Sequence, residues 1–333
     1  MAQRDRDIDP ADLLAGDQRV LARAITLIES TRADHRAQAE ALLSAVAGRR
    51  SARLRLGISG APGVGKSTFI EAFGQHLTGL GLSLAVLAVD PSSQRSGGSI
   101  LGDKTRMAEL SRDPRAFIRP SPSGGGLLGG VARRTHDVLS LVEAAGFDVV
   151  IVETVGVGQS ETTVADMVDL FLLLLSPGGG DDLQGIKRGV MELADLVVVN
   201  KADGDLLTAA RHAAADHRAA LALMRPRLPG WQAEVLMASA LKGEGLDEIW
   251  QAAERFRAGI LESGLFERQR ADQARRWLWR EIEAQLTERL RGDDAVARRL
   301  DGIEQRVASG AITPGAGARD ILDHYLGPRD APS

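Results

Sequence analysis

The sequence predicts a doubly wound α/β fold: a mostly parallel sheet flanked by helices, with helical extensions before and after it. Short runs that are apolar throughout recur at 54–58, 84–89, 117–118, 149–152, 168–175, 196–199 and 235–237. Strands covered on both faces read this way, whereas a sheet with one wet face alternates. Amphipathic helical spacing separates the runs, as βαβ units require. The first run also leads directly into a glycine-rich turn that opens a helix, the arrangement of a P-loop nucleotide-binding domain.

Upstream of the strands, residues 10–47 carry helical spacing through Leu13, Leu14, Leu21, Ile25, Ile28, Leu42, Leu43 and Val46. Two helices are expected there. Downstream of about Leu265 the strand pattern stops. Residues 267–291 form one long helical stretch with Trp277, Leu278, Ile282, Leu286 and Leu290 along one side, and two or three shorter helices follow. The expected division is therefore a helical extension over 1–50, the nucleotide-binding domain over 51–264 and a helical region over 265–333.

Composition narrows the function classes. A chain of 333 residues with 44% hydrophobic and 26% charged residues forms a core, and its net charge of -4 leaves no basic footprint for nucleic acid. The absence of cysteine removes disulfides, thiolate metal sites and cysteine nucleophiles. The charged start Met-Ala-Gln-Arg-Asp reads as no signal peptide, and the longest apolar run, 170–175, is far short of a membrane span of ~20 residues. A cytoplasmic protein with no membrane association is expected.

Gly60-Ala61-Pro62-Gly63-Val64-Gly65-Lys66-Ser67 matches G-x-x-x-x-G-K-[ST] at every fixed position. Glycines let backbone N–H groups converge on an anion, and the start of the helix at Lys66, Ser67 and Thr68 adds positive potential. Lys66 is expected on the β- and γ-phosphates and the Ser67 hydroxyl on Mg²⁺. An ordinary glycine-rich turn rarely meets all these positions between a strand and a helix. The run 149–152 ends in Glu153-Thr-Val-Gly156, which places a carboxylate for Mg²⁺ and an N–H for the γ-phosphate. Many GTPases carry aspartate there, so glutamate is a departure. Asp148, at the other end of that strand, reads as a solvated turn residue. Asp90, ending the run 84–89, and Asp103, after a flexible stretch, are further metal candidates; alone they would read as a strand-end turn and a helix N-cap.

Leu196-Val-Val-Val-Asn200-Lys201-Ala202-Asp203 places N-K-x-D after another strand. A carboxylate can accept from guanine N1–H and N2–H₂ together, and adenine offers no such pair. Asn200 is expected to tie this loop to the phosphate loop, the Lys201 stem to lie along the base, and Ser239-Ala240-Leu241 to bring an N–H to guanine O6. The base is therefore read as guanine. Three loops, 91–103, 154–163 and 176–188, rim the expected γ-phosphate. Order and disorder in such loops reports nucleotide state. Asp103, Gln159 and Lys187 are candidates to position the attacking water, and slow turnover is expected.

Several stretches carry a more specific likeness: Val89-Asp-Pro-Ser-Ser, Ser96-Gly-Gly-Ser-Ile-Leu-Gly-Asp103-Lys-Thr-Arg-Met107, Ile118-Arg-Pro-Ser-Pro-Ser123, Glu153-Thr-Val-Gly-Val-Gly-Gln-Ser-Glu161 and Asp182-Leu-Gln-Gly-Ile-Lys187. With them, from Leu14-Ala-Gly-Asp17 to about Leu326, the chain resembles the MeaB/MMAA family, once labelled arginine/ornithine transport kinases. The resemblance implies a G protein of the SIMIBI class. Such proteins act as GTP-hydrolysing chaperones that gate cofactor loading and protect an adenosylcobalamin-dependent acyl-CoA mutase, above all methylmalonyl-CoA mutase. It further implies phosphate and Mg²⁺ roles for Lys66, Ser67, Asp90, Asp103 and Glu153. Asp182 and Lys187 would belong to a third switch, and 267–326 would form a homodimer contact, the alternative being a cap on the chain's own core. A P-loop small-molecule kinase is one rival, disfavoured by Asn200 to Asp203. A metal-delivery GTPase is another, but the chain lacks cysteine and its histidines (35, 76, 136, 212, 217, 324) are scattered. His212 and His217 read as surface residues. A binding module with a dead site would not retain Lys66, Ser67 and Glu153.

Overall fold

The computed structural model describes residues 8–30, 32–49, 52–89, 107–119, 128–154, 160–178 and 188–327. Its seven strands are β1 (Leu54–Gly60), β2 (Leu84–Val89), β3 (Ala116–Arg119), β4 (Val149–Thr154), β5 (Leu170–Leu175), β6 (Leu196–Val199) and β7 (Glu234–Met237). They form one sheet in the order β3-β2-β4-β1-β5-β6-β7, with every neighbouring pair parallel. Each apolar run of the sequence is a strand. β5 is buried at all of its positions, as expected of a central parallel strand.

Between the strands run α4 (Lys66–Gly79), α5 (Leu128–Ala144), α6 (Ser160–Ala165), α7 (Arg188–Met191) and α8 (Leu207–Ala222), and α9 (Leu246–Glu262) follows the last of them. Phe69, Ile70, Phe73 and Leu77 of α4 pack in the same core as Leu54, Leu56 and Ile58 of β1 and Phe256 of α9. Parallel strands with helical crossovers bring all the carboxyl ends, and the loops that follow them, to one edge of the sheet. Ligands of open α/β sheets bind at that edge.

The N-terminal segment departs from expectation. It holds three helices, α1 (Pro10–Leu14), α2 (Gln18–Glu29) and α3 (Ala33–Val46), where two were expected. Gly16 takes φ 83, and Asp17 caps the next helix by accepting from the N–H groups of Arg19 and Val20 at 2.7 and 3.2 Å. Leu13, Leu21, Ile25 and Ile28 are buried across the break, so apolar spacing alone did not reveal it.

Two polar residues also differ. Asp148 is a tether rather than a solvated turn residue: its carboxylate accepts from the Ser83 N–H at 2.8 Å and the Ser83 hydroxyl at 2.7 Å, joining the starts of β2 and β4. His217 is 6% exposed, not at the surface, and burial lowers its pKa. His212 is exposed as expected.

Compact units comprise residues 1–273 and 274–333, the division falling within α10 (Leu265–Arg291). In the first unit the start of α10 closes the amino edge of the sheet. Gln273 Nε2 donates to Val168 O at 2.7 Å, and Arg270 grips the fully buried Asp169 carboxylate at 2.9 and 2.7 Å. Asp169 also accepts from the Arg55 N–H at 2.8 Å, and Arg55 pairs with Glu143 at 2.6 Å. Removing one partner of a buried pair strands the other charge. Arg270→Ala is therefore expected to destabilise the protein by about 3–5 kcal/mol, read as a lower urea midpoint at unchanged m-value. In the second unit, α11 (Asp294–Ala308) and α12 (Pro314–Leu326) bury Val296, Ile303 and Ile321 together. The expected apolar side of α10 is not uniformly covered. Trp277 is 8% exposed, whereas Leu278 and Trp279 are 59% and 64% exposed.

His136 on α5 is pushed down to about 4 from 6.5, first by burial and then by the Arg55 charge, against the pull of Glu143. A histidine depressed in the folded state binds its proton better when unfolded. Its contribution is complete above pH ~6.5 and is lost as pH falls towards ~4, up to about 3 kcal/mol. Urea midpoints from pH 7 to 4.5 should fall less steeply for His136→Gln than for wild type.

Candidate nucleotide site

The site assembles where β1, β4, β6 and β7 end. Gly60 closes β1 opposite Leu174 of β5, and a Cβ there would lie 2.5 Å from Leu174 O. Gly65, at φ 93, turns the chain into α4, and its Cβ would lie 2.9 Å from Asn200 Nδ2. Glycine is required at both positions by close approach, and at Gly65 also by the left-handed conformation. Ala61, Pro62 and Gly63 are exposed along the loop, Val64 is buried beneath it, and Ser67 and Thr68 occupy the first turn of α4.

Lys66 is 9% exposed and lies back across the loop, donating to Gly60 O at 2.7 Å and Ala61 O at 3.3 Å. Burial lowers its pKa, while the charges of Glu153 and Glu161 oppose that shift. Glu153 stands on β4 level with Ile58 of β1. Its neighbour Thr154 donates to Ser59 Oγ at 2.9 Å, a fully buried link between the two strand ends.

A second cluster lies at the end of β6. Asn200 Nδ2 donates to Val64 O at 3.0 Å, and its Oδ1 accepts from the Ala240 N–H at 3.2 Å. One buried side chain thereby laces the phosphate loop to both base-side loops. Lys201 takes φ 59, the sole left-handed non-glycine conformation among the described residues, and donates from Nζ to Gly63 O at 2.7 Å. Such a conformation in a non-glycine residue costs energy and points to function. The Asp203 carboxylate accepts from the Ser239 hydroxyl, which itself accepts from the Lys242 N–H at 3.2 Å. The Ser239 N–H is bonded to Glu244 O at 3.0 Å, and Leu241 is exposed.

Asp90, Asp103, Gly156, Gln159, Asp182 and Lys187 lie outside the described residues. Glu161 and the Ser59–Thr154 pair were not singled out from sequence; Glu161 lay within a family-like stretch, but its burial beside Lys66 had no local signal. Among the described residues no three His, Cys, Asp or Glu side chains cluster as a metal cage. The hydroxyl of Ser67 and the carboxylate of Glu153 are oxygen donors of the kind that suits a hard cation shared with phosphates, which takes few protein ligands.

A parallel sheet with a phosphate loop after its first strand, joined by Asn200 to a guanine-type loop, defines a P-loop GTPase. The family profile of methylmalonyl Co-A mutase-associated GTPase MeaB matches residues 21–295, and the chain belongs to that family. It is 49% identical over 323 residues to the mitochondrial methylmalonic aciduria type A homolog of Mus musculus, covering 94% of this chain and 78% of that one. It is 48% identical over 311 residues to GTPase ArgK of Escherichia coli K12, covering 93% and 94% respectively. A crystal structure titled LAO/AO transport system kinase superposes with a TM-score of 0.77 at 38% identity, covering 98% of this chain and 100% of that one. Among the described residues no helix is long and apolar enough to cross a membrane.

Proposed function

We propose that the chain binds Mg-GTP between these two clusters, hydrolyses it, and thereby acts as the nucleotide-gated chaperone of an adenosylcobalamin-dependent acyl-CoA mutase, most simply methylmalonyl-CoA mutase. The observation that carries the nucleotide half is the Asn200 bridge, which ties the loop bearing Asp203 to the phosphate loop at Val64 and to Ala240. The N–H groups of 60–68 would cradle the phosphates. Lys66 would leave the Gly60 and Ala61 carbonyls for the β- and γ-phosphates, exchanging neutral acceptors for charged ones. Asp203 would accept from the guanine edge while Ser239 holds its other lone pairs, and Leu241 would lie beside the base.

Ser67 and Glu153, with Asp90 and Asp103, would hold Mg²⁺. Bound there, the ion neutralises charge on the β- and γ-phosphates. Positioning of water belongs to Asp103, Gln159 or Lys187, with the Gly156 N–H on the γ-phosphate. The mutase half rests on the family's description and on the mouse relative's name. Asp182 and Lys187 would carry its signal through the loop 176–188. Leu278, Trp279, Ile282 and Leu286, exposed at helical spacing on α10, support a homodimer, because so contiguous an apolar stripe ordinarily meets a partner. A cytoplasmic site of action completes the reading.

The test is retention of an adenosylcobalamin-dependent mutase on the immobilised protein with GDP and with a non-hydrolysable GTP analogue. Nucleotide-dependent retention is expected. A protein that binds GTP yet retains no such mutase in either state would refute the chaperone assignment and leave the GTPase intact.

A further inference from the structure

Glu161 is a buried acid with no assigned role. It sits on α6, the short helix after β4, and is 5% exposed. Its Oε2 is buried and has no hydrogen-bond partner among the described residues. That helix packs on β1 just before the phosphate loop, where a Cβ at Gly57 would lie 3.1 Å from Val164 Cγ1, and the charge of Glu161 acts on the Lys66 ammonium together with that of Glu153. Lys66 does not satisfy Oε2: its Nζ donates to Gly60 O and Ala61 O, and Oε2 stays without a donor.

A carboxyl oxygen held out of water without a donor is costly, and such groups persist where a ligand completes them. A nucleotide's phosphates cannot do so: they are acceptors, and they repel a carboxylate. A hydrated divalent cation can. Its charge offsets the repulsion, and its bound waters are strong donors to a carboxylate just beyond coordinating distance. Mg²⁺ in particular keeps several waters when it binds with phosphates.

We propose that Glu161 is a positioning acid of the metal–nucleotide site, accepting a hydrogen bond from a water of the bound Mg²⁺ and repelling a triphosphate that arrives without the metal. The inference rests on the placement of the phosphates at Lys66 argued above. It gives Glu161 two effects of opposite sign, favourable with metal and unfavourable without, which a packing role would not produce.

The experiment is calorimetric titration of a non-hydrolysable GTP analogue into wild-type protein and Glu161→Gln, each with excess Mg²⁺ and with EDTA. No turnover is involved. Glu161→Gln is expected to bind more weakly than wild type with Mg²⁺ and more tightly with EDTA. The ratio of the two affinities should shrink by about tenfold or more, as when a carboxylate orienting a metal's bound groups is removed. Losses of equal size in both conditions, or an unchanged ratio, would overturn the proposal. If Glu161→Gln does not give the wild-type thermal transition, Glu161→Ala is read by the same two signs. Should wild-type protein itself show no metal dependence, the phosphate-site reading fails instead, so the two failures are distinguishable.

Discussion

Asp203→Asn is expected to lower GTP affinity by at least about 100-fold while creating measurable affinity for xanthosine triphosphate. A hydrogen bond to a charged group contributes about 1.5–3 kcal/mol, so losing the carboxylate's paired acceptance from N1–H and N2–H₂ is worth two or more powers of ten. An asparagine presents one acceptor and one donor. Guanine then meets an amide donor where it offers its own N2–H₂, whereas xanthine has a carbonyl oxygen there and is matched. The fold should be indifferent to the change: the Asp203 side chain is half-buried, and an amide oxygen can keep the bond from the Ser239 hydroxyl. Competition among GTP, XTP and ATP against a fluorescent guanine nucleotide checks this. Undiminished preference for GTP would place the base somewhere other than the end of β6.

How much of this was legible beforehand depends on what kind of signal each element carries. The strands were readable because parallel strands buried on both faces need continuous apolar residues, and runs as short as 170–175 bounded by turn signals suit a strand better than a helix. The phosphate loop was readable because close approach makes glycine compulsory at Gly60 and Gly65, so backbone geometry is written in residue identity. Asn200 was assigned to tie the loops together, and its amide does span them. Lys201 was expected to contribute its stem to the base, but the end of the same side chain also holds Gly63 O, a contact 138 residues back in the chain that no local pattern encodes.

The misread positions share a cause. Asp148 and His217 looked like surface polar residues because what buries them is not local in sequence or not polar: Ser83 lies 65 residues from Asp148, and His217 lies on the buried face of α8 with Ala210, Ala214 and Leu221. The break after α1 was hidden because Leu13 and Leu21 are buried in one stretch of apolar spacing, with only Gly16 and the capping Asp17 marking the interruption. Along α10, periodicity found the apolar positions yet could not say which were covered. Trp277 is, and its neighbours Leu278 and Trp279 are not.

Lys66→Ala should have the opposite profile to Arg270→Ala: little loss of stability and nearly complete loss of function. Lys66 bonds only the neutral carbonyls of Gly60 and Ala61, which sit at a loop that water can reach once the side chain is gone. Against a triphosphate, the same ammonium is the one cationic side chain that the stretch 60–68 itself carries. Removing a preorganised donor from a site where charge develops costs about 10²–10³ in rate, roughly 3–4 kcal/mol, before any loss of ground-state affinity is counted. The variant is expected to unfold in urea near the wild-type midpoint and to hydrolyse GTP at less than about one-hundredth of the wild-type rate. In the mutase retention assay it should show no difference between GDP and the GTP analogue. Full nucleotide-dependent retention in a folded Lys66→Ala protein would mean that the mutase responds to something other than the phosphates at the end of β1, and the coupling drawn through that loop would have to be abandoned.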